Sequence, residues 1–223
     1  MRNLQEWLYG FALALILTTQ PLQAQKLIKD SKELTELRAK AESGDASAQF
    51  NLGHSYYMGE GVTKNYVEAV KWCRKAAEKN NASAQFNLGV CYSNGNGVVE
   101  DDVEAVKWYR KAAEQNHAIA QLILGLCYAG GEGVLKDDVE AVKWYRKAAE
   151  QNIAYAQFNL GNSYRKGEGV TKDDVQGYMW FLLAGVQGTE LAKKNIEIIK
   201  NMMTPEQIAE GQKLAREFKP RKP

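Results

Sequence analysis

Residues 84–113 read AQFNLGVCYSNGNGVVEDDVEAVKWYRKAA, and residues 120–149 read AQLILGLCYAGGEGVLKDDVEAVKWYRKAA. The second stretch keeps the pattern of the first, moved along by 36 positions, and the same register runs outward from both. Leu52-Gly53 returns as Leu88-Gly89, Leu124-Gly125 and Leu160-Gly161. Tyr56 returns as Tyr92, Tyr128 and Tyr164, and Trp72 as Trp108, Trp144 and Trp180. A fixed period of this size, without an insertion, marks stacked supersecondary units.

Each unit reads as two helices. Ala48, Leu52 and Tyr56 fall at i, i+4 and i+8 and line one side of a first helix. Gly53 sits beside that stripe and allows a neighbour to come close. Gly59-Glu60-Gly61 ends the helix, because glycine takes the left-handed conformation that closes a last turn. The second helix buries Ala69, Trp72 and Ala76 and turns Glu68, Lys71, Lys75 and Glu78 outward. Asn65 with Glu68, Asp101 with Glu104, Asp137 with Glu140, and Asp173 with Gln176 have the spacing of a capping box.

The divisions are a signal peptide at 1–24, an N-terminal capping helix within 25–43, and repeats at 44–79, 80–115, 116–151 and 152–188. A partial fifth repeat and a C-terminal capping helix follow at 189–218, and a basic tail at 219–223 is expected to fray. The last helix starts at Thr204-Pro205-Glu206-Gln207, with an N-cap, a first-turn proline and a capping glutamine, and presents Ile208, Leu214 and Phe218.

The run Ala-x-x-x-Leu-Gly-x-x-Tyr, Gly-x-Gly-Val, Ala-x-x-Trp-x-x-x-Ala-Ala resembles the SEL-1-like repeat, a relative of the tetratricopeptide repeat. The likeness covers residues 44–188 without a gap. It implies an all-α, right-handed solenoid of four 36-residue helix-turn-helix repeats, acting as an adaptor or scaffold. Some bacterial members pair two cysteines inside each repeat and are linked to β-lactam binding. That pairing is missing here, and the activity does not carry over.

At the N-terminus, Arg2 precedes an uncharged, largely apolar run at 8–17, followed by a more polar stretch ending at Ala24. This order is that of a secretory signal peptide, and the run is shorter than the ~20 apolar residues of a membrane span. A periplasmic or secreted location follows, with no stable membrane insertion after cleavage. The formal net charge is +2, which gives no electrostatic reason to expect nucleic acid as partner. Cys73, Cys91 and Cys127 are odd in number, and the last two alternate with Ser55 and Ser163 as small core residues.

No catalytic or metal-binding constellation emerges, and neither enzyme activity nor a cofactor is expected. His54 and His117 lie in different repeats, and no zinc, phosphate-loop, dinucleotide or nucleophile-elbow motif exists. The acidic pairs at 101–102, 137–138 and 173–174 read as caps.

A second stripe on the first helices is the candidate site. It holds Ser47, Phe50, His54 and Tyr57, then Ser83, Phe86, Val90 and Ser93. It continues as Ile119, Leu122, Leu126 and Ala129, and as Tyr155, Phe158, Asn162 and Arg165. Leu52 and Tyr56 recur with little change, whereas this stripe varies from rung to rung. Such variation suits a concave face that touches a protein or peptide partner differently at each rung, with apolar anchors in the middle repeats and a basic end in the fourth. Leu126 is expected to be a surface residue. The recurrent Phe50, Phe86, Leu122 and Phe158 leave open that part of the row is core. A cell-envelope carbohydrate ligand is the alternative to a peptide. Oligomeric state is open.

Overall fold

The computed structural model describes residues 31–221. The signal peptide and the last two tail residues lie outside the described residues. Among the described residues the chain is all-helical, with eleven helices and no strand. It divides into two compact units that meet at Glu100 and Asp101.

The first unit contains α1 (Ser31–Glu42), α2 (Ala46–Met58), α3 (Tyr66–Glu78) and α4 (Ala82–Asn94). The Asp45 side chain caps α2 by accepting from the Ala48 N–H at 2.6 Å. The helix closes on Gly59, whose φ of 78° no β-carbon opposes. Trp72 packs with Ala41, Ala48 and Leu52, and Leu34, Leu37 and Tyr56 close around that cluster. The small alanines leave room for the indole between helices.

The second unit contains α5 (Asp102–Glu114), α6 (Ala118–Gly130), α7 (Asp138–Glu150), α8 (Ala154–Lys166), α9 (Asp174–Val186), α10 (Glu190–Lys200) and α11 (Pro205–Glu217). Successive helices pack on each other from α5 to α10. Helix α11 then folds back on α9, with Gly211 against Tyr178 and the Phe218 ring 5.4 Å from that of Trp180. All four repeat tryptophans are buried. In the first three the flanking lysine lies over the indole, as Lys147 does 3.9 Å from the centre of Trp144. Phe218 takes that place over Trp180.

The Leu-Gly step is a close-packing device. A β-carbon on Gly125 would stand 2.6 Å from the Tyr145 ring, and one on Gly161 would stand 2.8 Å from the Phe181 ring. Cys73 presses on Gly53 in the same way.

Two local expectations need correction. Asn65, Asp101, Asp137 and Asp173 do accept the N–H three residues on, but the returning half of the box is missing. Glu68 and Glu104 instead take Lys71 and Lys107 at 3.0 and 2.8 Å, and Glu140 takes Lys143. Both halves of the box close at Thr204 and Gln207. The basic tail also does not fray at Arg221. Its N–H donates to the Glu150 carbonyl at 2.8 Å, and its guanidinium lies 3.1 Å from the Glu150 carboxylate.

The period also reaches further back than the repeats. The backbone is left-handed at Gly44, Asn80, Asn116, Asn152 and Gly188, each 36 residues after the last. Helix α1 is therefore the second helix of a half repeat. Arg38 and Ala41 stand where Arg74 and Ala77 stand one period later.

Candidate functional site

The second stripe does not behave as one surface. Phe86, Val90, Ile119 and Leu122 are buried, with no more than 8% of any of them exposed. These four belong to the core and are corrected from contact surface to packing. Leu122 is part of the main cluster of the second unit, with Ala141, Val142 and Tyr145. Leu126 is half-buried against the same cluster rather than free. The reason is visible at the end of the stack, where the Asn195 amide donates to the Asn162 carboxamide oxygen at 3.0 Å. There the row of α8 faces α10, and a facing row is covered by its neighbour.

Of the other members, Phe50, His54, Tyr57, Tyr155, Phe158, Asn162 and Arg165 are half-buried, Ser47 is exposed and Ser93 is buried. Phe50 lies 6.2 Å from His54, ring to ring, and Phe158 lies 5.9 Å from Phe181. Burial lowers the His54 pKa, which Glu60 partly opposes, and burial raises that of Tyr155. His54 Nε2 and Arg165 Nε are buried without a hydrogen-bond partner.

Tyr57 is held by two neighbours. Its ring is 5.2 Å from Tyr66, and its hydroxyl accepts from the Asn96 amide at 3.2 Å. Burial, then nearby Cys91, push its hydroxyl up to about 12.

A cleft of about 230 Å³ opens in the second unit, between repeats 3 and 4. One wall is a single face of α8, from Asn159 through Asn162 and Ser163 to Lys166. Ala129, Ala141 and Tyr145 form the floor, and Asp138 and Glu168 stand at the edges. Glu168 pairs with Lys166 at 3.3 Å, and Asp138 with Lys136 at 3.4 Å, so the charges at the mouth are balanced. Such a lining can hold a neutral ligand through amide and carboxylate hydrogen bonds. Among the described residues, no group of three or more His, Cys, Asp or Glu could hold a metal. No helix there is long and apolar enough to cross a membrane. The three cysteines are free and buried, and burial pushes the Cys91 and Cys127 thiols up to about 12.

Two recurrent sets escaped the sequence reading. Gln49, Gln85, Gln121 and Gln157 are buried, and each donates to an alanine carbonyl eight residues earlier, at 2.9 to 3.2 Å. Arg38, Arg74, Arg110 and Arg146 each donate to a tyrosine hydroxyl 18 residues on, at 2.6 to 3.0 Å. Both sets were visible as exact recurrences. A glutamine in an apolar stripe and an arginine on a charged face carry no packing signal by themselves.

The Sel1 repeat model matches residues 46–81, 82–117, 118–153 and 154–188. The secretory immunoglobulin A-binding protein EsiB of Escherichia coli O6:H1 is 46% identical over 43 residues, which are 19% of this chain and 9% of that protein. The crystal structure of c5321, a protective antigen of uropathogenic Escherichia coli with an SLR fold, superposes with a TM-score of 0.76 at 38% identity. That match covers 84% of this chain and 40% of the antigen. A Sel1 repeat protein from Oxalobacter formigenes superposes with a TM-score of 0.75 at 35% identity, over 88% of this chain and 82% of that one.

Proposed function

Because the chain belongs to the Sel1 repeat family, whose members are protein-interaction scaffolds, we propose that it is a periplasmic or secreted adaptor that holds a peptide or protein partner on its first helices. The partner would lie on the first helices of the second unit, against Tyr155, Asn162 and Arg165 in repeat 4. The observation that carries this reading is the open cleft beside Asn162, at positions that differ between otherwise repeated helices. The signal-like segment at 1–24 supports the location. EsiB is by its name an immunoglobulin-binding protein, but this chain spans too little of it to take over that partner.

A photo-crosslinking residue placed at Tyr155 should capture a discrete partner from cell-envelope extract, and unlabelled protein should compete that capture away. The same residue at Lys143, on the outer face, should capture nothing specific. Specific capture from Lys143 and none from Tyr155 would move the working surface to the second helices and overturn the proposal.

A further inference from the structure

We infer that the cleft between repeats 3 and 4 receives the phenol ring of a tyrosine side chain on the partner, an inference that rests on the adaptor reading above. The chain itself shows what fits there. Ala129, Asp138 and Glu168 lie two periods after Tyr57, Tyr66 and Asn96. In repeats 1 and 2 the equivalent space is filled by Tyr57, edge-on to Tyr66, with its hydroxyl held by Asn96. In repeats 3 and 4 both of those rings are gone. Tyr145, in the place of Cys73, restores only one of them, as part of the floor. The remaining space is the cleft of about 230 Å³, which is several times the ~30 Å³ that a water molecule occupies in the liquid.

The polar atoms select the neutral phenol. Glu168 replaces Asn96, so the group facing the ring's hydroxyl changes from a donor to an acceptor, and a phenol O–H can donate to it. Glu168 and Asp138 already have their lysines, which leaves no uncompensated negative charge to attract a guanidinium. The same balance offers a phosphorylated tyrosine no net attraction. Asn159 and Asn162, on the wall, can hydrogen-bond the peptide backbone that carries the ring.

The test uses the whole chain and N-acetyl-tyrosine amide, followed by amide NMR shifts. Saturable shifts are expected at Ala129, Asn162 and Ser163. Glu168→Ala, in an exposed loop, should weaken binding about tenfold, the loss of one charge-assisted hydrogen bond. The double change Ala129→Tyr and Glu168→Asn rebuilds the plug of repeat 1 and should abolish the shifts. No shifts, shifts unchanged in Glu168→Ala, or tighter binding of N-acetyl-arginine amide, N-acetyl-phosphotyrosine amide or methyl glucoside would each overturn the inference. Capture from Tyr155 without tyrosine binding would sink the pocket alone. Tyrosine binding without capture would sink the adaptor reading alone.

Discussion

The Arg146 guanidinium donates to the Tyr164 hydroxyl at 2.7 Å and also lies 5.5 Å from the centre of that ring. One arginine thus ties the second helix of repeat 3 to the first helix of repeat 4. The partly buried site makes this contact stronger than an exposed pair. In a double-mutant cycle with Arg146→Ala and Tyr164→Phe, a coupling of about 1 kcal/mol is expected from urea unfolding midpoints. Strictly additive losses would show that the bond contributes nothing to stacking.

Trp144 is 7% exposed. Trp144→Ala should cost about 3–5 kcal/mol, as for other truncated core aromatics. Lys143→Ala, on the outer face, should leave the thermal midpoint in place. Equal shifts in the two variants would mean that the inward and outward faces of α7 have been confused.

Gly125→Ala sets two effects against each other. Alanine favours the helix by about 1 kcal/mol over glycine. Its β-carbon would meet the Tyr145 ring at 2.6 Å and the Ala141 carbonyl at 3.2 Å. The Ala141 carbonyl is helix backbone and cannot give way, so overpacking of about 1–3 kcal/mol wins, and the variant should be less stable. A gain in melting temperature would refute the close-approach role.

His117 gives the fold an acid-sensitive cap. Burial lowers its pKa from 6.5 to about 4, and its Nδ1 accepts from the Ala120 N–H at 3.2 Å. The folded state favours neutral imidazole. Its contribution is therefore full above pH 6.5 and is lost as pH falls towards 4, by at most about 3 kcal/mol. His117→Asn copies the cap that Asn81 provides for α4. It should flatten the stability profile across this window, and an unchanged profile would assign the acid response to other groups.

The proposed signal peptide at 1–24 is open to direct measurement. Mass spectrometry of the mature protein from an envelope fraction should find Gln25 as its first residue. An intact Met1 in that fraction would show that the segment is kept as an anchor.

The sequence by itself determined the period, the helix pairs, the buried tryptophans, the glycine stops and the capping box at Thr204. Each follows from chemistry local to one helix or one turn, or from a residue repeated unchanged at every rung. Only the tertiary structure decided which members of the variable row are hidden. A first helix in a stack has a neighbour on more than one side, and the row facing the next first helix must match that helix rather than a shared core. Such matching is made in pairs, so the row varies as a contact surface does. Tyr57 with Cys73 in repeat 1 and Ala129 with Tyr145 in repeat 3 exchange large for small across one junction. Helical periodicity cannot register that exchange, because the partners lie on different helices. It is the uneven outcome of these exchanges that leaves a cleft beside Asn162 and fills its counterpart beside Val90.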